Sequence, residues 1–346
     1  MKHLVEKLHL RNVSYALLAA STLLLAPGCA KEDNATAVLS VTPIATGLKG
    51  PIGLEMDKSG WVWVGQSGTG VNDGKVSAIS PDGKLVDVIT GFPSVPSPGG
   101  EPEGPSHLLF ANDSLYILGA AGKMYIAAQS LLKPGMTTLA ASSLKVEDIG
   151  AYVLNYPFKN NTHDTHPYNF VVGPNNAIYI IDAAANAIMR REPTGQLNVV
   201  AEVPGLANPT PVGPPMVESV PTAAYYDKGE FFITTLTGFP FATGNAVIYR
   251  VQAPVSWIGF PTVYQKGFST LVDIAVGNAA GKIVLEYGAF GQTGWVPNTG
   301  RLLQTNGTTI SVIADGLNQP AGLKQVDEHT WYVTSFGDNT VLKVTN

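Results

Sequence analysis

The sequence predicts an all-β fold: a six-bladed β-propeller closed by an N-terminal strand. Three observations predict it. A unit recurs about every 50 residues, a period typical of propeller blades. An apolar β run stands at the same place in each unit. The final unit lacks its last strand, while an unassigned strand precedes the first.

The units start at Pro51, Pro105, Pro167, Pro221, Val272 and Pro320, with separations of 54, 62, 54, 51 and 48 residues. Each start opens a short strand that ends in a turn such as Lys58-Ser59-Gly60, Asn112-Asp113, Pro174-Asn175-Asn176 or Asp227-Lys228-Gly229. Asn, Asp and Gly accept the left-handed conformations of tight hairpins. The second strands follow: Trp61-Val62-Trp63-Val64, Leu115-Tyr116-Ile117-Leu118, Ile178-Tyr179-Ile180-Ile181, Phe231-Phe232-Ile233-Thr234, Ile283-Val284-Leu285 and Trp331-Tyr332-Val333-Thr334. β-Branched and aromatic residues dominate them. They are apolar on both faces, as a strand sandwiched between neighbouring blades must be.

Third strands are expected at residues 75–79, 123–126, 187–190, 246–251, 301–304 and 340–344. Fourth strands are expected at 85–89, 197–203, 261–265 and 309–314. The chain ends at Asn346, after the third strand of the last unit. Residues 38–44 (Val-Leu-Ser-Val-Thr-Pro-Ile) supply the missing one, and closure of this kind removes two open edges. The alternative is seven blades, because the second unit (residues 90–155) is long.

The N-terminus is a separate region. Lys2, His3, Lys7 and Arg11 make a basic start, and residues 13–26 carry no charge. That stretch is short for a membrane span but fits the core of a signal peptide. It leads through Ala26-Pro27-Gly28 into Cys29, the one cysteine of the chain. The segment resembles a type II lipoprotein signal peptide, with Ala26 in place of the usual Leu. Residues 1–28 are then the signal, Cys29 the lipidation site, 29–36 a tether and 37–346 the propeller. The alternative is an ordinary signal peptide with an incidental cysteine. Lipidation would place the protein in the cell envelope: the outer membrane, and on the Lys31-Glu32-Asp33 run also the cell surface.

Net charge is −5, only 14% of residues are charged and 45% are hydrophobic. No basic patch is visible, which argues against a nucleic-acid partner. The 37 glycines and 25 prolines favour turns over long helices.

The motifs Thr46-Gly47-Leu48-Lys49-Gly50-Pro51-Ile52-Gly53-Leu54, His166-Pro167-Tyr168, Val220-Pro221-Thr222, Leu236-Thr237-Gly238-Phe239-Pro240-Phe241 and Leu271-Val272-Asp273-Ile274-Ala275, in that order and spacing, carry a resemblance. Over residues 45–346 the chain resembles the ScyD/ScyE family, relatives of the NHL-type propellers. The resemblance implies fold and export; it brings no catalytic residues with it.

It also implies that the Pro-led strand is innermost, so equivalent positions converge on the channel mouth. His107, His166, Asn169, Thr222 and Asp273 lie near the starts, and Asp182, Thr235 and Glu286 at the ends of second strands. Gly53, Ala223, Ile274 and Gly322 are expected to hold the His107 position in other blades. This polar collar is the candidate ligand-binding set. Its acids and amides would suit Ca²⁺ or another divalent ion, and its histidines acid–base work. The plain alternative is a wetted channel lining. His163 and His166 could chelate a metal but lack a third fixed ligand. Gly68-Thr69-Gly70 is no phosphate loop, since no Lys-Ser/Thr follows. Three insertions, at residues 93–105, 203–221 and 288–299, could wall a cleft on the collar side.

Two functions fit these features. One is a non-catalytic envelope propeller that binds a small molecule, a glycan or a protein. The other is a lactonase- or lyase-like propeller enzyme, metal-dependent or not, acting at the channel mouth.

Overall fold

The computed structural model describes residues 38–97, 100–160, 162–253, 259–277 and 281–346. The expected signal segment 1–28, the expected lipidation site Cys29 and the expected tether 29–36 lie outside the described residues. Six antiparallel sheets, each with four sequential or closing strands, make six blades. Their inner strands are Pro51–Met56, Leu108–Ala111, Pro167–Val172, Pro221–Asp227, Leu271–Val276 and Pro320–Asp327. Each touches the next, and the sixth touches the first.

The sixth blade takes its outer strand, Ser40–Ala45, from the N-terminus. It pairs antiparallel with Thr340–Thr345, Val41 facing Val344 and Ala45 facing Val341. The expected closure is therefore formed. A seventh blade is not. The surplus length of blade two goes into a two-residue strand, Leu139–Ala140, that adds in parallel to blade one, and into the helix Ile149–Asn155. The helix is capped by Asp148, whose side chain accepts from the Ala151 N–H. Lys145–Asp148 completes blade two as its outer strand.

The core explains why the second strands are apolar on both faces. It is not one mass but six clusters, one at each joint between neighbouring blades. Trp63 packs edge-on against Phe110 of blade two at 5.3 Å between ring centres, and Tyr179 meets Phe231 of blade four in a tilted pair at 4.6 Å. Among the described residues no helix is long and apolar enough to cross a membrane.

A repeated irregularity positions the functional side chains. In five blades the pairing slips just after the first residue of the inner strand: Pro51 faces Gln66, Pro167 faces Asp182, Pro221 faces Thr235, Leu271 faces Glu286 and Pro320 faces Ser335, then the register shifts. Such bulges re-aim side chains. They also correct the numbering of blade five, whose start is Leu271 rather than Val272. Asp273, not Ile274, therefore holds the position of His107 and Asn169.

Candidate functional site at the channel mouth

The bulges sort the axial residues into two levels. The residue after each start (Tyr168, Thr222, Val272) lines a cleft at the mouth. The next residue (His107, Asn169, Asp273) lines a separate cavity of about 290 Å³ that opens at the other end. Between them the axis is closed. His107 of blade two reaches to 4.0 Å from Asp273 of blade five, directly across the ring. Its ring also packs on Tyr168 at 4.6 Å.

Gly53 makes this crossing possible. A Cβ there would lie 2.5 Å from the His107 backbone and 2.8 Å from its ring. Any larger residue would push the imidazole aside.

The throat residues are occupied with holding blades together. Asp273 Oδ2 accepts from the Leu323 N–H of blade six at 2.8 Å, and Oδ1 from Ile274 N–H at 2.8 Å and Asn169 Nδ2 at 3.5 Å. Burial pushes its carboxyl up to about 7. Burial also holds the His107 imidazole down at about 3, so it is neutral. The Tyr168 backbone, as a hydrogen-bond partner of the ring, works against that shift.

The ends of the second strands are likewise structural. Asp182 is fully buried and accepts from the His166 N–H at 2.8 Å, the Thr165 hydroxyl at 2.7 Å and the Ala185 N–H at 2.9 Å. Glu286 accepts from the Ser269 N–H at 2.8 Å and from Arg301 Nε at 2.7 Å. Gln66 does the same for the Lys49 N–H at 2.8 Å. In each case a polar end captures the N–H of the chain as it enters the inner strand. Thr235 Oγ1 bonds both N–H and C=O of Val247 in its own sheet. Thr222 lines the cleft, but its hydroxyl donates to the Leu271 carbonyl at 2.9 Å and so joins blade four to blade five.

Of the eight expected ligand-binding residues, then, His166 and Thr222 reach the mouth cleft. Asp182, Thr235 and Glu286 are buried within blades, and His107, Asn169 and Asp273 form the throat. The divalent-ion site imagined through Asp182, Asp273 and Glu286 is not assembled, because each carboxylate is committed to its own backbone donors. Among the described residues no group of three His, Cys, Asp or Glu side chains is placed to hold a metal, and His163 and His166 gain no third ligand.

The cleft itself, about 480 Å³ with a side lobe of about 290 Å³, is lined by strand starts and blade loops together with side chains from all three insertions. The first supplies Glu101 and Glu103, the second Glu218 and Val220, the third Trp295. Tyr287, just past the end of a second strand, donates a hydrogen bond to Glu101. Burial raises the Glu101 carboxyl above the usual range, while Tyr287 and His166 oppose the shift. Glu218 is raised by burial and by Asp164. Phe241 and Tyr287 stack about Trp295 at 5.1 and 4.8 Å. Thr237 is fully buried at the cleft wall, and its Oγ1 has no partner among the described residues.

Glu101, Glu218, Thr237 and Tyr287 were not among the expected residues. Glu101 and Glu103 stand two apart in a Pro/Gly-rich insertion, and Thr237 lies in the most distinctive motif of blade four. Those were the available signals.

No protein-family profile matches the chain, and no protein of curated function matches it in sequence. Solved structures do match in fold. The chain is similar to virginiamycin B lyase from Staphylococcus aureus (TM-score 0.51, 18% identity, 90% of this chain and 99% of that one). It is similar to a gluconolactonase from Xanthomonas campestris (TM-score 0.58, 7% identity, 89% of each chain). It is also similar to the PQQ-bound aldose sugar dehydrogenase of Streptomyces coelicolor (TM-score 0.55, 14% identity, 89% and 98%). The class is a six-bladed β-propeller. Three chemistries on one scaffold show that the fold does not choose among them.

Proposed function

We propose that this chain is an envelope-tethered propeller of the ScyD/ScyE type whose mouth cleft binds a small molecule. One observation carries the reading: insertions from three different blades send side chains into a single cleft above a closed throat. Loops on a rigid scaffold are the common place for binding groups. A walled cleft of about 480 Å³ suits a small molecule or a terminal sugar better than a protein surface.

The test is a saturation-transfer screen of sugars, lactones, amines and aromatic acids against the full chain and a Trp295→Ala/Phe241→Ala variant. Binders should be found and should lose at least tenfold in affinity in the variant, in line with the loss of two buried aromatic contacts. Binders unaffected by the variant would overturn the cleft assignment. The tether follows from Cys29: the wild type should fractionate with membranes and Cys29→Ser should be soluble. A Cys29→Ser protein that stays on the membrane overturns the tether.

A second reading has its own support. His166 and the raised carboxyl of Glu101 share the cleft, a base and an acid within one site. The solved relatives in fold include a lyase and a lactonase. Under this reading Glu101 gives a proton to a leaving oxygen and His166 takes one, with no step through a metal.

A further inference from the structure

We propose that the ligand of the mouth cleft is a cation: an amine or quaternary ammonium group carried on an apolar body. The inference rests on the cleft being a binding site and adds the chemistry it selects.

The charge balance of the lining is one-sided. Glu101, Glu103, Asp164 and Glu218 line the cleft, and no lysine or arginine does. The side lobe repeats the pattern, with Glu101 and Glu103 and no lysine or arginine. Elsewhere in the molecule Glu147 is forked by Arg191 at 2.7 Å on both oxygens and Glu286 is paired with Arg301, while Asp182 and Asp273 are held by backbone N–H groups. The mouth carboxylates Glu101, Glu103 and Glu218 have neither an arginine or lysine partner nor backbone donors of that kind among the described contacts; His166 is the one cationisable neighbour that acts on Glu101. Glu101 has a phenol instead, and burial lifts both Glu101 and Glu218 above the ordinary carboxylate range. A buried acid kept without its counter-charge is costly, and a ligand cation removes that cost.

The second observation is independent of the acids. Thr237 is fully buried, lines the cleft and has an unpartnered hydroxyl. Its oxygen can accept a hydrogen bond from an ammonium N–H. The third is the wall. Tyr168, Phe241, Tyr287 and Trp295 line the same space. Aromatic faces beside carboxylates are the usual setting for ammonium groups, which the ring quadrupole attracts. The apolar part of the ligand would lie against Phe241 and Trp295, whose neighbour Phe239 is 55% exposed at the rim.

The experiment uses three probes with one phenylpropyl body: 3-phenylpropylamine, 3-phenylpropanol and 3-phenylpropanoate. Each is titrated calorimetrically into the full chain at pH 8. The amine should bind about tenfold or more tighter than the alcohol, and the carboxylate weakest, as expected for one charge-assisted contact plus a cation–π contact. Glu101→Gln should remove most of the preference for the amine while leaving the alcohol within about twofold. Glu218→Gln is a second variant should Glu101→Gln fold poorly, with the same direction expected.

Equal binding of amine and alcohol overturns the cation but leaves the cleft standing. So does failure of all three probes when other molecules bind and respond to Trp295→Ala/Phe241→Ala. Amine binding that survives the aromatic double variant unchanged overturns both.

Discussion

The mouth and the throat of this ring use the same residue types and do different things with them. Each pairs a histidine with a carboxyl: His166 with Glu101 above, His107 with Asp273 below. In the throat the carboxyl is spent on the backbone of blade six and its own strand, and the imidazole is packed against Tyr168 in the space left by Gly53. In the mouth the carboxyl meets a phenol and the neighbouring His166, with no backbone donor, and the groups around it border a void of about 480 Å³. A polar residue near a propeller axis is thus no mark of a site. What marks one is hydrogen-bonding capacity that the blades have not used.

The largest effect should come from breaking a member of the structural set that lies just beneath the mouth. Asp182→Ala leaves the His166 N–H, the Ala185 N–H and the Thr165 hydroxyl without their acceptor. Orphaning buried donors costs about 1–3 kcal/mol each, partly recovered by water, so a loss of about 3 kcal/mol is expected in urea unfolding. Glu101→Gln should change stability by less than about 0.5 kcal/mol, since it removes no backbone acceptor. Comparable losses in both variants would erase the distinction between a binding residue and a supporting one.

Much of the ring was legible before any coordinates. The Pro-led starts and the apolar second strands located the blades because both follow from local sequence and from burial on two faces. Closure by residues 38–44 followed from counting strands. The site was less legible, for a definite reason. Whether residue one or two past a start reaches the mouth depends on a bulge, and a one-residue shift sends the side chain to the other level. The misplaced start of blade five, Val272 for Leu271, shows how small that margin is. Nor can sequence tell a free carboxylate from a committed one: Asp182 and Glu286 read as ligand-binding candidates and Glu101 does not, and only the N–H groups that meet the first two separate the cases. The acids Glu101, Glu103 and Glu218 and the Trp295 ring come from irregular insertions, where no periodicity guides placement.

A smaller effect tests the throat through pH. The Asp273 carboxyl is raised from 3.8 to about 7, so the folded chain takes up this proton before the unfolded chain does, and acidification from pH 7 toward 4 stabilises the fold. The His107 imidazole is lowered from 6.5 to about 3, so the unfolded chain is protonated first, and acidification from pH 6.5 toward 3 destabilises it. Between about pH 6.5 and 4 the two contributions oppose each other, each with a limiting slope of about 1.4 kcal/mol per pH unit. Removing one should expose the other. Relative to wild type, His107→Phe should gain stability by about 2 kcal/mol as the pH drops from 6.5 to 5, and Asp273→Asn should lose about as much. Urea midpoints at pH 7.5, 6.5 and 5 for the three proteins read this difference directly, because the other acids titrate alike in all of them. Parallel curves would mean that the throat is wet enough to solvate both groups. The closed axis would then be an open channel, and the separation of mouth from throat would fail with it.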